Sequence, residues 1–105
     1  MRATIRNIQE FLPEEYKVIW AKDGFNVSVD ASKYHYCDPK DFYGPWNKVE
    51  VKYPFKPYLP LRLYADDKKN LTATVYRYVP LDIVCNMLNE HGGIDIEKTR
   101  NNIIR

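Results

Sequence analysis

The sequence lacks the features that mark a membrane-spanning or secreted protein. No apolar run approaches the ~18 residues that a transmembrane helix needs. The opening stretch, MRATIRNIQEFLP, has neither the apolar core nor the cleavage site of a secretory signal. Cysteine is scarce as well, with only Cys37 and Cys85, whereas small secreted domains usually carry more. We therefore expect a cytoplasmic protein that has reduced thiols and no contact with a membrane.

Glycine is also scarce, and its placement excludes the common phosphate-binding loops. The glycines fit neither G-x-x-x-x-G-K-S/T nor G-x-G-x-x-G; they are Gly24, Gly44, Gly92 and Gly93. Asp66 and Asp67 make a weak candidate for a catalytic carboxylate pair, because the lysines that follow them are typical of a solvated turn. The formal net charge of +2 is too small to identify a nucleic-acid-binding protein by itself.

The few histidines and cysteines could together supply the ligands of a zinc ion, but their spacing does not favour a site. His35 and Cys37 form H-x-C, which does not match the usual spacing of a zinc knuckle. Cys85 falls on a predicted apolar helix face, and His91 lies at the end of that helix, where the helix dipole favours it. Cys37 and His35 also lack a third member of a catalytic triad. We predict no catalytic residue, no metal site and no cofactor.

Two segments have the apolar periodicity of amphipathic helices. Residues 4–12 can be capped by Thr4 and end before a proline, and residues 81–91 end before Gly92. The predicted buried faces are Ile5, Ile8 and Leu12 in the first helix, and Leu81, Val84, Cys85 and Leu88 in the second. A short third helix is predicted to follow Asp95.

Strand patterns lie between the helices. Residues 16–31 and 61–80 predict hairpins, and the outgoing strand of the second, which favours β-structure on both faces, is the best candidate for a central strand. Residues 48–54 predict a single strand with Val49, Val51 and Tyr53 inward and with Glu50 and Lys52 outward. Residues 32–47 predict a loop or a very short strand at Tyr34–Cys37. The proline-rich residues 54–60 predict an extended segment at a sheet edge or in a connection.

The chain length and this order of elements predict one domain over residues 1–105, because a chain of 105 residues holds a single small core. The predicted fold class is α+β, with an antiparallel sheet of about four to five strands and short N- and C-terminal helices packed on one face.

Aromatic and basic residues are abundant in the middle of the chain. Eight of the fifteen aromatic residues fall between Tyr34 and Tyr58. Between Lys33 and Arg62 there are six basic residues and three acidic ones. Tyrosine offers a large apolar face and a hydroxyl group, which suits contact surfaces. We predict that this segment binds a partner through Tyr34, Tyr36, Lys40, Phe42, Tyr43, Trp46, Lys48, Lys52 and Tyr58, with Tyr36, Tyr43 and Trp46 as anchors.

The alternative is that large rings build the core of so short a chain. On that interpretation about half of the rings are buried, and the candidates are Trp20, Phe25, Trp46 and Phe55.

Three stretches, VEVKYP (49–54), VYRYVP (75–80) and HGG (91–93), resemble small proteins encoded in bacteriophage and prophage genomes. The resemblance implies a binder or inhibitor of host machinery in the host cell cytoplasm, of the anti-defence or anti-CRISPR kind. It carries over no site residue.

Together these patterns predict a non-enzymatic binding protein, an inhibitor or modulator of a host protein such as a nucleic-acid-processing defence complex. The alternative is a small nucleic-acid-binding protein that uses the aromatic and basic surface. A metal-dependent or thiol enzyme is the third hypothesis. A host protein or protein complex is the expected partner, nucleic acid is the second, and the sequence leaves a homodimer open.

Overall fold

A computed structural model of the protein describes residues 1–14 and 18–101. The elements are, in chain order, helix α1 (Ile5–Phe11), strands β1 (Val18–Trp20), β2 (Asn26–Asp30) and β3 (Lys48–Lys52), a 3₁₀ helix (Leu59–Tyr64), strand β4 (Val75–Pro80), and helices α2 (Leu81–Glu90) and α3 (Ile96–Asn101). The strands form a four-stranded antiparallel sheet in the order β1-β2-β3-β4. The predicted α+β class is confirmed. The first two residues of the predicted hairpin 16–31 lie outside the described residues.

One face of the sheet carries the core. Because side chains alternate between the two faces of a strand, the strand register collects apolar residues of all four strands on the same side. Seven side chains on this face are each at most 1% exposed: Ile19, Val27, Val29, Val49, Val51, Tyr76 and Val79. The opposite face carries polar residues, and Ser28 lies opposite Lys52 and Asp30 opposite Glu50 there.

The helices bury the faces that their periodicity predicts, with one exception. In α2 the predicted stripe of Leu81, Val84, Cys85 and Leu88 is buried. In α1, Ile8 is fully buried, but Ile5 is 47% exposed and the predicted burial of Ile5 is wrong. Phe11 takes part in the core instead, next to Leu12. The first turn of α1 is stabilised by a capping box in which Thr4 and Asn7 exchange hydrogen bonds.

Strand β4 lies at the edge of the sheet, so its predicted central position is wrong. It also does not follow a strict alternation, because a bulge between its pairings with β3 inserts an extra residue. Tyr78 has a φ of 53° at this bulge. Tyr76 and Val79 therefore both face the core, whereas Tyr78, which a strict alternation would place on the same face as Tyr76, is 40% exposed.

The predicted first strand of the second hairpin is also wrong. Residues 59–64 form the 3₁₀ helix, which has a proline in its first turn and buries Leu61 in the core. Of the segment predicted as that first strand, only Ala65 pairs with β4, through a single bridge to Tyr76. Tyr53, predicted to face inward, lies beyond the end of β3 with a φ of 53° and is 43% exposed.

Large rings are divided between core and surface. Phe25 and Trp46 are core residues, as the alternative interpretation predicts, but Phe55 is 61% exposed and Trp20 is half-buried. Among the described residues, no helix combines the length and apolar composition that crossing a membrane requires.

Candidate functional site

The loop between β2 and β3, residues 31–47, lies against the polar face of the sheet. The N–H of Tyr36 donates to Glu50 Oε1 at 3.3 Å, and the carbonyl of Tyr36 accepts a hydrogen bond from Tyr78 N–H at 3.2 Å. Asp38 forms an isolated bridge with Lys48. The loop is thus attached both to β3 and to β4, and it covers Glu50, which is predicted to face outward and is only 6% exposed.

Local hydrogen bonds hold the tip of this loop. Asp41 Oδ1 accepts from the N–H groups of Tyr43 and Gly44, each at 2.9 Å. Gly44 has a φ of +65°, and a Cβ built on it would lie 2.8 Å from the Trp46 ring, so glycine is required there. Gln9 of α1 donates to the Trp46 carbonyl at 2.8 Å. The tip is therefore held by the Asp41 carboxylate and by Gln9 of α1.

Exposed rings collect on this loop. Tyr34 meets Phe42 edge to face, with ring centroids 5.5 Å apart. Tyr34 is 77% exposed, Phe42 48% and Tyr43 86%. Rings that are this exposed contribute little to the core, which leaves their apolar faces available to a partner.

A second pair of rings lies where the loop meets β4. Tyr36 packs against Tyr78 with centroids 6.0 Å apart. The guanidinium of Arg77 lies 4.1 Å from the centroid of the Tyr36 ring, and the ammonium of Lys40 lies 5.5 Å from it. Both distances fall within the range of cation–π contacts. We call the combined region the aromatic surface; it consists of Tyr34, Tyr36, Lys40, Phe42, Tyr43, Arg77 and Tyr78.

Four of the predicted partner-binding residues lie elsewhere or take part only at the margin. Trp46 is 1% exposed, so its predicted role as a surface anchor is wrong and its indole belongs to the core. Tyr58 packs against the core, and burial, together with its hydrogen bond to Glu90, raises its pKa to about 12. Lys48 is exposed at the base of the loop, and Lys52 is engaged by two carboxylates on the polar face.

A buried polar cluster lies beneath the loop and was not predicted; it consists of Asp30, His35, Glu50 and Lys52. Asp30 and Glu50 face each other across β2 and β3 and are 3% and 6% exposed. The Lys52 ammonium lies 3.1 Å from Asp30 Oδ2 and 3.4 Å from Glu50 Oε2. Burial by itself lowers the pKa of Lys52, but the charges and hydrogen bonds of the two carboxylates outweigh it and raise that pKa.

His35 brings an imidazole to this cluster. Its Nδ1 lies 2.7 Å from Ser32 Oγ, and one ligand atom each from Asp30, His35 and Glu50 lie within 4.8 Å of one another. Asp30 Oδ1 is buried and accepts no hydrogen bond from any described residue. The sequence signal for this cluster is the pairing of one acidic residue from each strand, but it appears only once the register between β2 and β3 is known.

The histidines and cysteines considered for zinc do not converge in the described part of the chain. His91 stacks on Phe25 with centroids 4.1 Å apart, and its Nδ1 lies 2.7 Å from Asp23 Oδ2. Cys37 donates to the Ser32 carbonyl at 3.1 Å. Burial raises the pKa of both Cys37 and Cys85, which lowers the fraction of nucleophilic thiolate.

Comparison with protein-family models, with curated proteins and with solved structures gave no match. We therefore infer function from the geometry of the aromatic surface and of the buried polar cluster.

Proposed function

We propose that this protein acts without catalysis, by binding a protein partner through the aromatic surface. The observation that carries the proposal is that one loop and the adjoining strand present two ring pairs, Tyr34–Phe42 and Tyr36–Tyr78, the second beside the cations of Lys40 and Arg77. The same loop adds the exposed ring of Tyr43. Tyrosine and arginine are the residue types most enriched among binding hot spots. Their concentration here favours a contact surface.

The order within the loop supports the same function. Asp41 fixes the backbone at Tyr43 and Gly44, and Tyr36 joins the loop to β3 and to β4. A surface that is already ordered loses less conformational entropy when a partner binds, so more of the contact energy appears as affinity. Tyrosine adds to this advantage because its side chain has few rotatable bonds.

The charges near the rings favour protein over nucleic acid. Arg77 is paired with Asp66, with Nε 2.7 Å from Oδ1, so part of its charge is compensated. Asp38 and Asp41 lie in the loop that carries Lys40. A nucleic-acid surface usually needs an uncompensated basic stripe along the phosphate backbone. The exposed rings together with Lys40 keep a single-stranded nucleic acid as the second candidate, since bases stack on such rings.

We extend the proposal to the class of partner that the sequence resemblance implies, a host protein inhibited or modulated by a phage-type protein. The support is the resemblance in 49–54, 75–80 and 91–93. These stretches contribute β3, β4 and the turn after α2. They therefore concern the scaffold, and the surface that contacts the partner lies mainly in the loop that this scaffold carries.

The test is capture of the partner from a lysate of the source host, with and without nuclease treatment. The bait is the wild-type protein, the double variant Phe42→Ala/Tyr43→Ala, or the control Leu63→Ala, whose side chain is 83% exposed on the 3₁₀ helix. We expect one protein to be retained by wild type and control after nuclease treatment and lost by the double variant. Loss of all capture after nuclease treatment would favour the nucleic-acid candidate, and equal capture by all three baits would refute the assigned surface.

A further inference from the structure

The buried polar cluster carries more negative than positive charge. Among the described residues, the carboxylates of Asp30 and Glu50 share one ammonium, that of Lys52, so two negative charges face one positive charge. Burying an uncompensated charge is costly, and buried carboxylates are normally paired or coordinate a metal. The cluster therefore has room, in electrostatic terms, for further positive charge.

The hydrogen bonds point to the same deficit. Asp30 Oδ2 is satisfied by Lys52 and by the Ser28 hydroxyl, which donates at 3.2 Å. The other oxygen of the same carboxylate, Oδ1, is buried and accepts nothing from the described residues, although the residue is only 3% exposed. Such an orphaned acceptor in a native structure requires an explanation, and a bound cation supplies one.

The donor set also has the composition of a metal site. Two carboxylate oxygens and one imidazole nitrogen lie within 4.8 Å of one another. Bonds of about 2.0–2.2 Å hold the ligands of one ion within about 4.4 Å of each other, so small side-chain movements bring all three to a shared ion. The imidazole favours zinc and its neighbours over magnesium or calcium, which prefer oxygen ligands alone. Ser32 Oγ lies at hydrogen-bond distance from Nδ1 of His35, and such a contact orients the imidazole so that its other nitrogen can bind a metal.

We infer that Asp30, His35 and Glu50 form a binding site for one divalent cation of the first transition row, in competition with the Lys52 ammonium. A cation there would join the loop, through His35, to β2 and β3. His35 lies between Tyr34 and Tyr36, so the ion would fix the backbone that carries two rings of the aromatic surface. The site itself does not depend on the proposed function.

Lys52 makes the inference unusually testable. Its ammonium sits against both carboxylates, and its side chain is 20% exposed, so it can move toward solvent when a metal enters. Replacing it with glutamine removes the competing charge and raises the charge deficit. Lys52→Gln should therefore bind the metal more tightly than the wild type, which is the opposite of what a merely structural lysine would show.

The experiment is calorimetric titration of the metal-free protein with Zn²⁺ alone, with Mg²⁺ as a parallel titrant, at constant ionic strength. We expect one Zn²⁺ per chain in the wild type, binding at least about tenfold weaker in His35→Gln, and tighter in Lys52→Gln. His91→Gln is the matched control, because it removes the other histidine, and its binding should equal that of the wild type. Circular dichroism checks that each variant is folded. His35→Gln is preferred to Asp30→Asn, because a change at the buried Asp30 is more disruptive to folding.

Three results would overturn the inference. The first is the absence of Zn²⁺ binding in both the wild type and folded Lys52→Gln. The second is Zn²⁺ binding that His35→Gln leaves unchanged, and the third is loss of binding in His91→Gln. Equal affinity for Mg²⁺ would overturn the assignment to a transition metal, because that result would mean that the imidazole does not take part.

Discussion

Tyr78 donates its backbone N–H to the carbonyl of Tyr36 at 3.2 Å, and the two rings meet edge to face with centroids 6.0 Å apart. The pair connects the loop 31–47 to β4 at the bulge, where an extra residue turns Tyr78 away from the core. At this position the loop is held on the strand and at the same time presents rings to solvent.

The packing of α2 on the sheet gives the first prediction. Leu88 is fully buried, so Leu88→Ala should lower the free energy of unfolding by ~2–5 kcal/mol, through lost burial and the cavity left behind. Leu59→Ala, at a side chain that is 71% exposed, should change it by less than about 0.5 kcal/mol. Urea denaturation measures both. A change at Leu88 no larger than that at Leu59 would mean that the helix face is misassigned.

Two glycines with similar backbone angles make a matched pair. Gly24 and Gly93 have φ values of +96° and +84°. A Cβ on Gly24 would meet nothing within 4 Å, whereas one on Gly93 would lie 2.6 Å from the Met1 carbonyl oxygen. Gly24→Ala should therefore cost only the left-handed backbone penalty of ~1–2 kcal/mol. Gly93→Ala should cost clearly more, and equal losses in urea denaturation would contradict the close approach of the N-terminus.

The thiols should be unreactive in the folded protein. Burial raises the pKa of Cys37 and Cys85, so the thiolate fraction near neutral pH is small. We expect slow reaction with a disulfide reagent under native conditions and rapid reaction of both thiols in urea. The double change Cys37→Ser/Cys85→Ala should leave partner binding intact. Rapid native labelling of either thiol, with loss of binding, would revive the thiol hypothesis.

Tyr58 should make stability fall at high pH. Burial and the hydrogen bond to Glu90 raise its pKa from 10.0 to about 12, so the folded state holds the phenol proton more tightly than the unfolded state does. The resulting stability is fully present below pH 10 and is lost as the pH rises toward about 12. Tyr58→Phe should show a smaller loss over that window. Identical profiles in the two proteins would rule out this contribution.

Sequence patterns could predict the elements in which local periodicity and burial agree. The spacing of Leu81, Val84 and Leu88 specifies the buried face of α2, and the alternation around Val27 and Val49 specifies strands with one apolar face. The pattern fails where contacts distant in sequence decide the outcome. Residues 59–64 form a 3₁₀ helix that buries Leu61 in the core. The bulge in β4 cannot be inferred either, because both faces of that segment favour β-structure.

The candidate site could be predicted only in part, for a related reason. Composition locates the aromatic segment, but it cannot distinguish the buried Trp46 from the exposed Tyr43, because both lie among glycine and proline in one irregular loop. The buried polar cluster cannot be recognised in the sequence, because Asp30 and Glu50 lie on opposite sides of the loop 31–47. They face each other only through the register between β2 and β3. Arg77 interrupts an apolar pattern, and that interruption is the sequence signal of its position over Tyr36.

Stability measurements should separate the three rings predicted as anchors. Trp46→Ala removes a core side chain and should cost ~3–5 kcal/mol. Tyr43→Ala changes a side chain that is 86% exposed and should stay within about 0.5 kcal/mol of the wild type. Tyr36→Ala should fall between them, because Tyr36 loses its contacts with Tyr78 and Arg77. Similar losses for Trp46 and Tyr43 in urea would contradict the division between core and surface.

Binding of a partner through the aromatic surface is tested by the affinity of the purified partner for wild type and for Phe42→Ala/Tyr43→Ala. The affinity is measured at two salt concentrations, with Leu63→Ala as control. We expect the double variant to bind about thirtyfold more weakly or worse, a loss of ~2 kcal/mol of binding free energy. Its midpoint of urea denaturation should be unchanged. The salt dependence should be modest, because the charges near the rings are partly compensated. Equal affinity of the double variant and the wild type would contradict the account.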